Sequence, residues 1–197
     1  MNKISTVCVF CASSPHVPQI YKDHARLTGE LLAANGISAV TGGGAFGLMA
    51  SLHDGILASG GSVKAVIPEF MIDAGWLYPG LNDVCVTADM QERKRKMLGF
   101  ADAVLVLPGG CGTLDEAMEV LTLKQLGLFL APIVFVNTNG YYDLLIQHLL
   151  RQADECFMNP EHRNLWAVAD TPAQAVELVK SMPGWDPSRS KLSLKTD

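Results

Sequence analysis

Short strand candidates rich in Val, Ile and Leu alternate with helix candidates along the whole chain, with no repeat or linker dividing it. Turns rich in glycine or serine follow three of those strands, after Phe10, Val40 and Leu107. Continuous apolar strands separated by helices imply a parallel sheet covered on both faces. The expected fold class is therefore α/β, a single-domain, Rossmann-like doubly wound parallel sheet. Its ligand is expected outside the carboxyl ends of the strands, where the order reverses, and one site there accounts for all three turns.

The elements follow in order. Thr6 to Phe10 reads as the first strand and Cys11-Ala12-Ser13-Ser14-Pro15 as a polar turn of the kind that carries ligand groups. A helix is expected from Ile20 to Asn35, with Gly36 just past its end. Ile37 to Val40 is a second strand, and Thr41-Gly42-Gly43-Gly44-Ala45-Phe46-Gly47 leads into a helix ending near Gly60-Gly61. Val63 to Ile67 and Val84 to Thr87 are strands, and the irregular stretch between them, Glu69 to Asp83, reads as a loop over a site or as ordinary loop packing. Asp89 to Phe100 has a helical pattern and Ala103 to Leu107 is a buried strand ended by Pro108. Helices are expected from Thr113 to Leu126 and from Tyr141 to Gln152, with strands at Ile133 to Val136 and Leu165 to Val168. Thr171, Pro172 and Gln174 open a last helix with a capping residue, a proline at its first position and a Gln at its third. Residues 1–182 form the expected domain, and 183–197 an expected frayed tail.

The most informative turn is Pro108-Gly109-Gly110-Cys111-Gly112-Thr113-Leu114-Asp115-Glu116. Three glycines in four positions bare the main-chain N–H groups, and the helix that follows adds its positive dipole end, so the turn is a candidate phosphate cradle. Thr113 and Glu116 also have the spacing of a capping box, so Glu116 is readable as a cap or as a catalytic carboxylate. Gly42, Gly44 and Gly47 fit the G-x-G-x-x-G dinucleotide fingerprint, but the next strand ends in Pro68 instead of the acidic residue that takes ribose hydroxyls. A second phosphate- or sugar-facing loop is the preferred reading there, with a tight packing turn as the alternative.

The charge run Glu92-Arg93-Lys94-Arg95-Lys96 would ordinarily be a solvated face. At about 100° per residue, however, Arg93 and Lys94 fall on the same stripe as Met90, Met97, Leu98 and Phe100, while Glu92, Arg95 and Lys96 fall opposite. Two cations on an apolar stripe need an anion, either an internal carboxylate or a bound phosphate. Arg93 suits forked contact with either.

Composition limits the partners. The net charge of −5 offers no global field for a nucleic-acid backbone, and no apolar stretch approaches the ~20 residues that span a bilayer. Neither nucleic acid nor a membrane is expected as a partner. With no such apolar stretch a cytoplasmic location is expected, and five cysteines, an odd number, point to reduced thiols. Cys8 and Cys11 are spaced so that a strand turns them to opposite faces, and no metal or cofactor is expected.

The Pro108–Glu116 turn resembles the PGGxGTxxE signature of the Lonely Guy family of cytokinin riboside 5′-monophosphate phosphoribohydrolases. The resemblance extends through Cys11-Ala12-Ser13-Ser14, Gly42-Gly43-Gly44, Gly47-Leu48-Met49, Glu92-Arg93-Lys94 and Gly140-Tyr141-Tyr142, about three quarters of the chain. It implies Arg93 and Glu116 as the catalytic pair, with Gly109, Gly110, Cys111, Gly112 and Thr113 around the phosphate. Ser14, Gly43, Gly44, Met90 and Lys94 complete the candidate substrate-binding set. Gln91 and Leu123 stand where the family usually has His and Trp, which bears on base preference. The expected reaction is hydrolysis of the N-glycosidic bond of an adenine-type nucleoside 5′-monophosphate, and the family implies a homodimer. The alternative is a nucleotide or cofactor carrier using the same cradle. The lysine decarboxylase label that relatives carry finds no lysine here in a Schiff-base setting.

Overall fold

The computed structural model describes residues 3–190. Its strands are β1 (Thr6–Phe10), β2 (Ser38–Thr41), β3 (Val63–Pro68), β4 (Asp83–Thr87), β5 (Ala103–Val106), β6 (Ile133–Val136) and β7 (Ala167–Ala169). They form one sheet in the order β4-β3-β2-β1-β5-β6-β7, every pairing parallel. From β1 the chain winds outward to β4, then crosses back to β5 on the other side of β1. That reversal puts the crevice at the carboxyl ends of β1 and β5, as the sequence predicts.

The helices are α1 (Gln19–Ala34), α2 (Gly47–Ala58), α3 (Glu69–Asp73), α4 (Met90–Gly99), α5 (Cys111–Gln125), α6 (Asp143–Asp154) and α7 (Pro172–Ser181). Alternation along the strands divides the interior in two. Val7 and Val9 of β1 and Leu105 of β5 pack with Leu32 of α1, Leu52 of α2 and Val176 of α7. Cys8, Phe10 and Val104 face the other way, onto Met97 of α4, Val120 of α5 and Leu149 of α6. Cys8 and Cys11 accordingly belong to opposite cores, and all five cysteines are free thiols.

Helix boundaries follow local chemistry. Gly36, at φ +67°, terminates α1 in the left-handed conformation glycine adopts freely. The Thr171 hydroxyl accepts from the Gln174 N–H and Pro172 occupies the first position of α7, as the sequence predicts. Asp89 caps α4 by accepting from the Glu92 N–H while the Glu92 carboxylate accepts from the Ala88 N–H.

Three expectations are corrected. The 69–83 stretch is not wholly irregular, because Pro68 starts the short α3. α5 begins at Cys111, two residues before the expected Thr113. The tail does not fray from residue 183: Trp185 is buried, its backbone N–H donating to the Leu130 carbonyl, and Ser190 is buried as well. Residues 191–197 lie outside the described residues.

Candidate active site

A cavity of about 440 Å³ opens at the carboxyl ends of the strands, within the ~300–1,000 Å³ usual for small-molecule sites. Its polar wall comes from Ser13 and Ser14 after β1 and from Gly110, Gly112 and Thr113 at the start of α5. Phe46, Met49, Ile67, Met71 and Trp76 make an apolar wall. Arg93 and Glu116 also line the cavity.

The start of α5 is bare. Gly110 is its N-cap, no side chain caps it, and no acidic residue occupies its first turn. The first intrahelical bond runs from the Leu114 N–H to the Gly110 carbonyl, which leaves the N–H groups of Cys111, Gly112 and Thr113 as the orphan donors of the helix end. With the dipole behind them they suit an anion. Gly109 has to be glycine because a Cβ there would land on the Thr113 side chain. Tyr141 donates its hydroxyl to the Gly109 carbonyl at 2.8 Å and Tyr142 to the Leu107 carbonyl at 2.7 Å, so the two tyrosines brace the turn from outside.

This start of the helix overturns the capping box. Thr113 is the third residue of α5 and Glu116 the sixth, so Glu116 lies a full turn inside the helix and caps nothing. Its side chain, 11% exposed, instead faces the Arg93 guanidinium with Oε1 3.7 Å from Nη1. Burial raises the Glu116 carboxyl from 4.5 to about 7; Arg93 pulls it down, Asp115 pushes it up, Lys94 lowers it and Glu119 raises it. At neutral pH the group therefore exchanges a proton readily, as general acid–base chemistry requires.

Arg93 is held by one nitrogen. Its Nε–H donates to the Val66 carbonyl at 3.1 Å, and its Nη1 lies 3.8 Å from the Met90 sulfur. A Cβ on Gly42 would collide with Nη2, so glycine is what lets the guanidinium reach the cavity. Lys94 goes elsewhere. Its ammonium lies 3.0 Å from Asp115 Oδ2 and 2.5 Å from Glu119 Oε2, and it does not line the cavity. Of the two anions expected for it, an internal carboxylate or a bound phosphate, it meets internal carboxylates.

Several main-chain N–H groups of the second glycine turn are engaged within the protein. The Gly43 N–H donates to the Thr41 hydroxyl and the Gly44 N–H lies 2.8 Å from the Met49 sulfur. The Ala45 N–H is taken by the Trp76 carbonyl, and those of Leu48 and Met49 by the Ala12 carbonyl. Beneath it, buried His53 contacts the Thr41 hydroxyl at 2.8 Å, its pKa lowered to about 4 by burial, with Asp54 opposing. Gly44 thus offers the cavity surface without a free amide, and Gly43 lies behind it.

Of the expected substrate set, Ser14, Gly44, Gly110, Gly112 and Thr113 line the cavity; Gly43, Met90, Lys94, Gly109 and Cys111 support it from behind or beside it. Sequence reasoning did not assign Phe46, Met49 or Ile67 to the site, whereas Met71 and Trp76 belong to the 69–83 stretch read as a loop over a site or as ordinary loop packing. The aromatic content of 69–83 was the available signal for Trp76, whereas Ile67 and Met49 look like ordinary core.

Comparisons with known proteins agree with this architecture. A family model described as possible lysine decarboxylase matches residues 49–179. A cytokinin riboside 5′-monophosphate phosphoribohydrolase of Arabidopsis thaliana is 35% identical over 194 residues, covering 98% of this chain and 90% of that protein. A probable cytokinin riboside 5′-monophosphate phosphoribohydrolase of Oryza sativa subsp. japonica is 34% identical over 194 residues, covering 98% and 78%. Among solved structures, the molybdenum cofactor binding protein of Rippkaea orientalis superposes with a TM-score of 0.72 at 21% identity, over 92% of this chain and 99% of that one. A molybdenum cofactor carrier protein of Chlamydomonas reinhardtii gives 0.69 at 20% identity, over 90% and 97%. At such identities the last two speak for the fold alone.

Proposed function

The chain belongs to the Lonely Guy family of cytokinin riboside 5′-monophosphate phosphoribohydrolases, and from that membership we propose that it hydrolyses the N-glycosidic bond of cytokinin riboside 5′-monophosphate or AMP-type nucleotides. The products are a free adenine-type base and ribose 5-phosphate. The observation that carries the reading is the Arg93–Glu116 pair, 3.7 Å apart in the wall of a cavity that also holds the uncapped start of α5.

The substrate phosphate sits on the N–H groups of Cys111, Gly112 and Thr113, and the base lies toward Trp76 and Met71. Cleavage passes through an oxocarbenium-like state at the sugar, which a carboxylate stabilises while activating the attacking water. Glu116 supplies that carboxylate. Arg93, anchored at Val66, orients it and contacts the sugar through its remaining N–H groups. Among the described residues no lysine lines the cavity, so none of them suits Schiff-base chemistry with a pyridoxal group.

The carrier reading rests on shared fold. A carrier has no use for a buried carboxyl beside an anion site, where it competes with the ligand's own charge. Incubation with AMP and with isopentenyladenosine 5′-monophosphate, following base and ribose 5-phosphate by chromatography, separates the two: a hydrolase releases both products in equal amounts, a carrier neither.

We also propose a homodimer in the cytoplasm. Family membership and the exposed Leu144 and Phe157 support the first, and light scattering at two protein concentrations tests it. Five free thiols support the second; among the described residues, no helix is long and apolar enough to cross a membrane.

A further inference from the structure

Lys94 is the second cation of the buried stripe of α4, with only 8% of its side chain exposed. Its ammonium lies between Asp115 and Glu119, which are four residues apart and so share one stripe of α5. Glu116 is the next residue round the helix from Asp115. The cluster of one cation and two carboxylates carries a net charge of −1, which repels a phosphate. The Asp115 side chain is 59% exposed and its pairing is screened by water, whereas Glu119 is 28% exposed and makes the closer contact.

We infer that Lys94 is a positioning residue for Glu116: by tying α4 to α5 through Glu119 and Asp115, it holds the catalytic carboxylate at its distance from Arg93 and sets the charge around it. The inference rests on the hydrolase reading for its catalytic meaning. Every charged or titratable group facing Glu116 enters the balance. From α4 come Arg93 and Lys94, from α5 Asp115 and Glu119, and from β1 and the turn after it the buried thiols of Cys8 and Cys11, which burial keeps protonated. Lys94 and Arg93 favour ionised Glu116, and Asp115 and Glu119 favour its neutral form. Without Lys94 two carboxylates face Glu116 uncompensated; without Glu119 only Asp115 opposes the ammonium.

The test titrates Glu116 in the full chain by carbon-13 NMR of its carboxyl, assigned by loss of the signal in Glu116→Gln, beside the pH dependence of kcat/KM for AMP and isopentenyladenosine 5′-monophosphate. Lys94→Met is expected to move the Glu116 titration up by about one pH unit, Glu119→Gln to move it down, and Lys94→Arg to restore the wild-type value. Opposite shifts cannot come from general loosening of the helix. Equal shifts in the same direction, or none, overturn the inference. If Lys94→Met does not fold, Glu119→Gln alone decides by the sign of its shift. The NMR titration needs no turnover, so failure of the wild type to release base defeats the hydrolase reading without deciding the role of Lys94.

Discussion

Glu116 Oε1 stands 3.7 Å from Arg93 Nη1, too far for a hydrogen bond and near enough for strong electrostatic attraction. The guanidinium is anchored at Val66 and does not fork onto the carboxylate, so the attraction does not cancel the cost of burial. Burial prevails, and Glu116 titrates at about 7.

With Glu116 acting as the carboxylate, as proposed, kcat/KM should rise with pH through an apparent pKa near 7 and then level off. A pH–rate profile from 5.5 to 8.5 checks this. A profile that falls over the same range would assign Glu116 the role of proton donor instead.

The same shift makes a statement about stability. Because the folded-state pKa is raised from 4.5 to about 7, the contribution of Glu116 is fully present below 4.5 and is lost as pH rises through 7. The loss is about 3 kcal/mol at most. His53, whose pKa is lowered from 6.5 to about 4, acts in the opposite sense, its contribution being lost as pH falls through 4. The difference in urea-unfolding free energy between wild type and Glu116→Gln removes His53 from the comparison, and it should shift in favour of the variant between pH 5 and pH 8.

Gly42→Ala should disable Arg93 without altering it, because the added Cβ occupies the place of Nη2. A displacement of about 1 Å of a positioned catalytic group costs on the order of 10²-fold in rate. Steady-state kinetics should show that loss in kcat/KM with the far-ultraviolet circular dichroism unchanged.

Tyr142→Phe should lower stability by about 1–2 kcal/mol, since it strips the hydroxyl from the buried Leu107 carbonyl at the root of the phosphate turn. Chemical denaturation measures it. Tyr141→Phe, whose ring is half exposed, should change stability less.

The order of strands and helices was readable from sequence because the strands are apolar throughout and the helices amphipathic. The burial of Arg93 and Lys94 was readable from helical phase alone, though their different partners were not: Lys94 meets carboxylates that α5 presents only once its start is fixed at Cys111. Glycines gave no side-chain signal for that start, which is why Thr113 looked like a cap. α3 is too short for periodicity to register. The closed state of the Gly43 and Gly44 amides depends on the Thr41 hydroxyl and the Met49 sulfur, contacts that no local pattern encodes.

The central claim is that Glu116 acts on a glycosidic bond in a nucleotide held by the start of α5. Its most direct test compares wild type and Glu116→Gln for turnover of isopentenyladenosine 5′-monophosphate and, by calorimetry, for binding of the same nucleotide. The variant should bind within about tenfold of wild type while turnover falls by about 10²–10⁴-fold. A variant that releases base at the wild-type rate, or a wild type that binds the nucleotide and releases nothing, would contradict it.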